Sequence, residues 1–394
     1  MKTKHNLTAR VVWPAVSLLL VISQACSPAA LQPTPSAIPP TSTNTAEPVI
    51  TPTSTQVPII IPSELIARLD NWLTQVSRDN LFSGSVLIAQ RGNVLLSKGY
   101  GQADRENNTL NTPQTRFRQA SITKQFTAMA VMILETQGKL RVEDPICKYI
   151  PDCPQSWRDV TIHHLLTHTS GMADFTLPDS TGTTFTQEQT IATFRDLPLY
   201  FSPGEEWSYS NSGYILLGFI IQQVSGMSYE EFLKESIFVP LGLEDTGYAH
   251  NSDGLAIGYD NQYTSLPADL DQAEIFNAAG ALYSSTEDLY RWDQALYTEE
   301  LIPRASLERI FTPYVKVPAI EGDKAMYGYY GYGWLIKQEE GQMQVWHGGG
   351  LPGVSTMIAR YPEDRITIII LCNNANSDAT NIWQLIAGKI FTAD

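Results

Sequence analysis

Ser121 and Lys124 stand three residues apart in Arg118-Gln119-Ala120-Ser121-Ile122-Thr123-Lys124, a polar approach to an apolar run. On a helix, positions i and i+3 share a face. The lysine can then take the serine's proton or pass it to a neighbour, which a hydroxyl needs before it attacks a carbonyl near neutral pH. At a helix start the serine's own amide also lacks an intrahelical acceptor and can point at a developing oxyanion. The plain alternative is a capping serine followed by an ordinary first-turn lysine, and for an isolated four-residue match that alternative is the stronger one. Partners elsewhere in the chain must decide.

Two stretches offer partners. In Phe201-Ser202-Pro203-Gly204-Glu205-Glu206-Trp207-Ser208-Tyr209-Ser210-Asn211, a turn-rich loop enters the apolar helix Ile215 to Val224, and Tyr209 and Asn211 flank one residue, as a phenol and an amide would if both faced one cavity. In Val345-Trp346-His347-Gly348-Gly349-Gly350-Leu351, a strand meets three glycines. Glycine lets another group approach the backbone closely, and a bare strand edge offers an N–H for the other half of an oxyanion hole. Taken singly, these read as a loop tyrosine and a glycine-rich turn.

Taken together and in this order, the stretches resemble one family: the serine beta-lactamase and penicillin-binding-protein superfamily, in the branch of class C beta-lactamases, DD-peptidases and related esterases. That family carries Ser-x-x-Lys, then Tyr-x-Asn, then Lys- or His-x-Gly on an edge strand. The resemblance runs from about Ser63 to Asp394 and includes Leu165-Leu166-Thr167-His168-Thr169-Ser170-Gly171, Pro203-Gly204-Glu205, Pro240-Leu241-Gly242-Leu243 and Ala279-Gly280-Ala281-Leu282. It implies an acyl-enzyme on Ser121, proton transfer shared by Lys124 and Tyr209, and Asn211 orienting Lys124 and the substrate's acyl side. Tyr209 is expected as a phenolate base, because a neighbouring cation lowers a phenol's pKa. His347 is expected near Tyr209, and the amides of Ser121 and Gly350 are expected to form the oxyanion hole. The resemblance implies no metal and no organic cofactor.

The third motif departs from the family. Beta-lactamases of this branch have Lys followed by a hydroxyl residue, both holding the substrate carboxylate, whereas here the pair is His347-Gly348. The lost hydroxyl removes a charge-assisted hydrogen bond of about 1.5–3 kcal/mol, and a neutral histidine supplies less charge than lysine. The expected activity is therefore hydrolysis of esters or of D-amino-acid peptides and amides, with a beta-lactamase or DD-carboxypeptidase as the alternative. A non-catalytic peptidoglycan-binding envelope protein is the alternative of another class; a penicillin or fluorophosphonate probe separates it, since a pure binder is not acylated.

The elements that must position these groups are legible in outline. Ser63 reads as an N-cap to an amphipathic helix through about Arg78, with Leu65, Ile66, Leu69, Trp72, Leu73 and Val76 at helical spacing. Gly84 to Ala89 and Val94 to Tyr100 read as a hairpin, and the Ser121 helix runs to a stop at Gly138. Tyr329 to Ile336, Met343 to His347, Ser355 to Tyr361 and Ile366 to Leu371 read as further strands, and Asn381 to Phe391 as a closing helix. Terminal segments forming one sheet around a helical middle predict an α+β fold, an antiparallel sheet flanked by helices plus an all-helical lobe, with a cleft between the lobes.

Composition bounds the rest. The 394 residues are 43% hydrophobic, enough for a sizeable core. The formal charge of −15, with no run of Lys and Arg, argues against nucleic acid and against electrostatic docking on anionic lipid. Residues 1–26 read as an export signal, with Lys2, Lys4 and Arg10 ahead of an apolar stretch from Val11 to Ile22 that is too short to span a bilayer. Ser23-Gln24-Ala25-Cys26 resembles a bacterial lipoprotein cleavage site, departing from it at Ser23, so Cys26 is the expected lipid anchor and the mature protein is expected outside the cytoplasm. Residues 27–62 are rich in Pro, Thr and Ser and read as a tether, leaving 63–394 as the catalytic domain. The partners expected are thus a small-molecule or peptide substrate and, through Cys26, a membrane; oligomeric state is not specified.

Cys147 and Cys153 flank a short loop that an oxidising compartment can close, and Cys372 reads as a buried thiol. His164 and His168 are spaced i, i+4, with His163 adjacent, but the His-Glu-x-x-His form of a zinc site is absent, so they are expected to fix a helix end and the following turn.

Overall fold

A computed structural model describes residues 59–175, 186–250, 254–259, 273–318, 327–339 and 342–392. The expected export signal, Cys26 and nearly all of the expected tether lie outside these residues. No helix among the described residues is long and apolar enough to cross a membrane.

The sheet is antiparallel and eight-stranded, in the spatial order Asn93–Tyr100, Gly84–Gln90, Ile366–Cys372, Val354–Tyr361, Gln342–Leu351, Leu335–Glu339, Tyr329–Tyr330, Val315–Lys316. The hairpin near the start therefore pairs with a strand near the end of the chain, Gly84 opposite Cys372 and Gln90 opposite Ile366. Every residue of Ile366–Cys372 is buried, and this explains an apolar run without alternation: both faces of the strand are covered. Its side chains sort by the two-residue period. Ile366, Ile368 and Ile370 pack with Leu65, Leu69 and Leu73 of the Ser63–Arg78 helix and with Trp383 and Ile386 of the Ala379–Phe391 helix. Ile369 and Leu371 face the opposite way, toward the helical part of the protein.

The first helix begins as expected at Ser63, but Pro62 in extended geometry occupies the capping position and no side chain caps the turn. Ser63 is the first helical residue, so its expected role as the N-cap is corrected. Proline stops the helix from starting earlier, because its ring fixes φ and the chain before it is extended. Leu65, Leu69 and Leu73 recur every fourth residue and form the buried stripe, each worth about 1.5–3 kcal/mol of apolar burial.

The helix Thr123–Thr136 is different in kind, because Thr123 to Leu134 are all buried. It is covered on every face, as for a helix running through the core rather than over it, and its few polar side chains, Lys124, Gln125 and Thr127 among them, are hydrogen-bonded. It contributes to the same core as the Asn211–Ser225 helix and the segment Ala278–Leu282. Cys147 and Cys153 form a disulfide with Cα atoms 5.2 Å apart, and Cys372 is a buried free thiol.

One expected strand is broken. Tyr329 to Ile336 reads as continuous, yet it folds back into two antiparallel strands, with Tyr330 opposite Leu335 and Tyr329 opposite Ile336. Gly333, at φ +76°, abuts the start of the buried helix so closely that an added Cβ would lie 2.8 Å from the Lys124 carbonyl oxygen. The chain turns back on itself where the helix approaches.

Candidate active site

The strand Gln342–Leu351 runs past its neighbour. Leu335–Glu339 pairs with it only as far as Trp346, so from His347 onward this edge has no strand partner among the described residues. The turn ahead of the buried helix takes up the vacancy. Thr356 Oγ donates to the Gln119 carbonyl at 3.0 Å, and an added Cβ on Gly349 would lie 2.4 Å from that oxygen and 2.9 Å from the Ala120 Cβ. Gly349 is thus the glycine that close approach requires, while a Cβ on Gly350 would meet no atom within 4 Å. Ala120 adopts φ +48°, an uncommon conformation outside glycine, and a 3₁₀ turn over Ala120–Ile122 then leads into the helix. Ser121 lies in that turn rather than in the α-helix proper.

Lys124 is fully buried and makes three contacts through Nζ: to Ser121 Oγ at 3.1 Å, Asn211 Oδ1 at 2.9 Å and the Ala279 carbonyl at 2.8 Å. The Ala279 carbonyl is available because the Ala273–Gly280 helix, kinked at Asn277 (φ +35°), ends at Gly280 and leaves its last carbonyls without intrahelical donors. Burial pulls the Lys124 pKa down to about 7, against the Asp174 charge, which favours the ammonium. Asn211 Oδ1 and the Ala279 oxygen can only accept hydrogen bonds. In the neutral amine they take the two N–H groups, and the lone pair is left facing Ser121 Oγ. In the ammonium the third proton lies on that same line.

Tyr209 completes the group, its ring centroid 4.9 Å from Lys124 Nζ. The phenol does not titrate as the sequence suggests. Burial raises its pKa well above the ordinary range, a hydrogen bond with Ser121 opposes this, and the Asp174 charge adds to it. The expected phenolate is therefore corrected: loss of solvent, with the Asp174 charge adding, outweighs the hydrogen bond with Ser121, and Tyr209 is held as a phenol.

His347 lies near Tyr209 as expected, with ring centroids 6.4 Å apart, but it is 2% exposed and both ring nitrogens are engaged. Nδ1 donates to the Gly348 carbonyl at 2.6 Å, which leaves Nε2 as the acceptor for the Tyr330 hydroxyl at 3.0 Å. Burial, with Lys124 adding, pulls its pKa down to about 3, so the ring is neutral. It offers a substrate carboxylate no charge.

Asp174 is a neighbour with no local signature in the sequence, whereas the histidines around the site were marked by their spacing. Asp174 bonds Asn211 and Ser212 from 37 and 38 residues away. His168 is buried among Tyr209, Tyr214 and Tyr330 at ring distances of 4.3, 5.1 and 4.6 Å, and its Nδ1 accepts the Ser210 amide at 3.1 Å. His164 Nδ1 accepts the Thr161 amide in a capping box, and His163 Nδ1 lies 2.8 Å from the Tyr332 hydroxyl. The histidines thus fix the helix end and the turn after it.

The structure brings Ser121, Lys124, Tyr209, Asn211 and His347 together beside the sheet edge, with Gly350 following Gly349 along that edge, and the chain as a whole is similar to known proteins. The family model described as Beta-lactamase matches residues 69–389. A penicillin-binding protein of Bacillus subtilis (strain 168) is 37% identical over 335 residues, covering 78% of this chain and 71% of the relative. The octameric penicillin-binding protein homologue from Pyrococcus abyssi superposes with a TM-score of 0.73 at 30% identity, over 83% of this chain and 77% of that one. A D-amino acid amidase from Ochrobactrum anthropi SV3 shares the fold at a TM-score of 0.71 and 24% identity, over 83% of this chain and 100% of the amidase.

Proposed function

Because this chain belongs to the beta-lactamase family of serine hydrolases, the superfamily that includes the penicillin-binding proteins, we propose that it cleaves esters or D-amino-acid peptides and amides through an acyl-enzyme on Ser121. The observation that carries this reading is the placement of Lys124 Nζ between two obligate acceptors, with its remaining valence on Ser121 Oγ. Ser121 Oγ attacks the acyl carbon as its proton passes to Lys124. The amides of Ser121 and Gly350 take the oxyanion. Tyr209, a neutral phenol hydrogen-bonded to Ser121, hands its proton to the leaving group and regains one from Lys124. Water then attacks the ester carbonyl by the same path in reverse.

The test is the purified protein assayed in parallel on p-nitrophenyl acyl esters, D-Ala-D-Ala peptides, D-amino-acid amides and nitrocefin, with a fluorophosphonate probe for acylation. Turnover of the esters and the D-amino-acid amides above that of nitrocefin and the D-Ala-D-Ala peptides is expected. Absence of labelling and of all turnover would leave the binding-only reading in its place.

The neutral His347 and the missing side chain at Gly348 favour substrates without a recognition carboxylate. His347→Lys with Gly348→Thr should raise the ratio of kcat/KM for carboxylate-bearing over neutral substrates by roughly 10- to 100-fold. A Cβ at 348 would meet Met357 Cε at 3.2 Å and the Thr356 carbonyl at 3.3 Å, a tight fit that the flexible end of Met357 can relieve. A ratio unchanged within about threefold, in a variant that melts like the parent, removes this pair as the selectivity determinant.

The proposed location is outside the cytoplasm, with residues 27–62 as a tether between a lipidated Cys26 and the catalytic domain. Cys26→Ser should then move the protein from the membrane fraction into the medium, read by fractionation and immunoblot. An unchanged distribution rejects the lipid anchor.

A further inference from the structure

Asn211 can serve Lys124 only one way round. Turned over, its amide would present an NH₂ group to an ammonium that has nothing but donors. The Asp174 carboxylate decides the orientation. Its Oδ2 accepts the Asn211 Nδ2–H at 3.0 Å, and its Oδ1 accepts the backbone amides of Asn211 at 2.8 Å and Ser212 at 3.0 Å, with the Ser212 hydroxyl at 3.4 Å. With both oxygens occupied, neither the carboxylate nor the amide can turn without breaking several bonds at once. Asn211 Oδ1 is thereby held 2.9 Å from Lys124 Nζ, itself 3.1 Å from Ser121 Oγ.

We propose that Asp174 is a positioning residue for the hydrolysis: it locks the Asn211 amide so that Lys124 is aimed at Ser121, and it places one negative charge behind that amide. This rests on the reading of Ser121 as nucleophile and Lys124 as base. The other titratable groups facing Lys124 are Tyr209 and Tyr214, whose rings lie 4.9 and 5.5 Å from Nζ, together with His168 and His347. Burial pushes both phenols up and both imidazoles down, so all four are neutral around pH 7. Among the described residues Asp174 is the charge that favours the lysine's protonated form. Removing it makes the ammonium give up its proton more easily, which moves the acid limb of the pH profile to lower pH.

Asp174→Asn separates positioning from simple capping. The new amide oxygen can still accept the helix amides, but its NH₂ group faces Asn211 Nδ2, so Asn211 must turn over or lose its partner, and the charge is gone. We expect kcat/KM to fall about 10- to 100-fold, mostly in kcat, and the acid limb to move down by roughly half a unit or more. Combining Asp174→Asn with Asn211→Asp exchanges donor and acceptor and returns a carboxylate beside Lys124. This exchange should recover about tenfold or more and bring the acid limb back up. A parent-like rate in Asp174→Asn, or an acid limb that stays put, overturns the proposal. Should the single variant fail to fold, the exchange decides alone: folded and active with its acid limb at or above the parent's supports it, and folded but inactive, or unfolded, overturns it. Turnover retained in Ser121→Ala would instead sink the reading on which the proposal stands, whereas loss in Ser121→Ala with a parent-like Asp174→Asn sinks the proposal alone.

Discussion

Ser121→Ala is expected to lower turnover of every cleaved substrate by about 10⁴-fold or more, the scale on which nucleophile deletions act in serine hydrolases. Among the described residues, Ser121 Oγ is the one hydrogen-bond partner of Lys124 Nζ that can lose a proton and attack, the others being the Asn211 Oδ1 and Ala279 carbonyl oxygens. Binding and oxyanion contacts survive the substitution, so some acceleration over water should persist. The fold should survive too. Ser121 is half-buried in the 3₁₀ turn, alanine fits wherever serine does, and Lys124 keeps Asn211 and Ala279. A melting temperature within a few degrees of the parent is expected, since a single hydrogen bond contributes only about 1 kcal/mol. Turnover above about 1% of the parent, in protein free of contaminating esterase, would remove Ser121 as nucleophile.

Lys124→Met should cost about 10²- to 10⁴-fold in kcat/KM, the range ascribed to a positioned general base. Methionine has similar length and suits a fully buried site, so the loss reports chemistry more than packing. The pH profile tells the base apart from its neighbour. With Lys124 at about 7, the active neutral amine gains population as pH rises, so kcat/KM should climb through about pH 7 and level off above it. Tyr209→Phe should leave that limb where it is and reduce the plateau, most for substrates with poor leaving groups. Were a Tyr209 phenolate the base, activity at neutral pH would be small, because burial holds the phenol protonated there. A limb that disappears in Tyr209→Phe and persists in Lys124→Met would reverse the two assignments.

Much of this was readable along the chain. The strand Ile366–Cys372 declared itself by composition, and the first helix by Leu65, Leu69 and Leu73 at a four-residue spacing, because burial on a sheet or helix face selects side chains at the period of the element. Ser121, Lys124, Tyr209, Asn211, His347 and Gly350 became candidates through the family resemblance that their motifs carry in this order, whereas each motif taken singly had a plainer reading. The kink of the Ala273–Gly280 helix at Asn277 was not readable, and neither was the turn at Gly333, which lies against a helix more than 200 residues earlier.

Protonation belongs to the tertiary structure for the same reason. A side chain's charge depends on how much water is removed and which charges remain nearby, and both are sums over everything packed around it. Lys124 is held by Asn211 and Ala279, 87 and 155 residues away, and feels Asp174; no spacing in the sequence encodes that environment. The sequence by itself thus determined which groups could react and roughly which elements carry them. Only the fold decided that Lys124 stands poised between its two forms, that Tyr209 stays a phenol, and that His347 turns both ring nitrogens inward, because desolvation is a property of the packed interior.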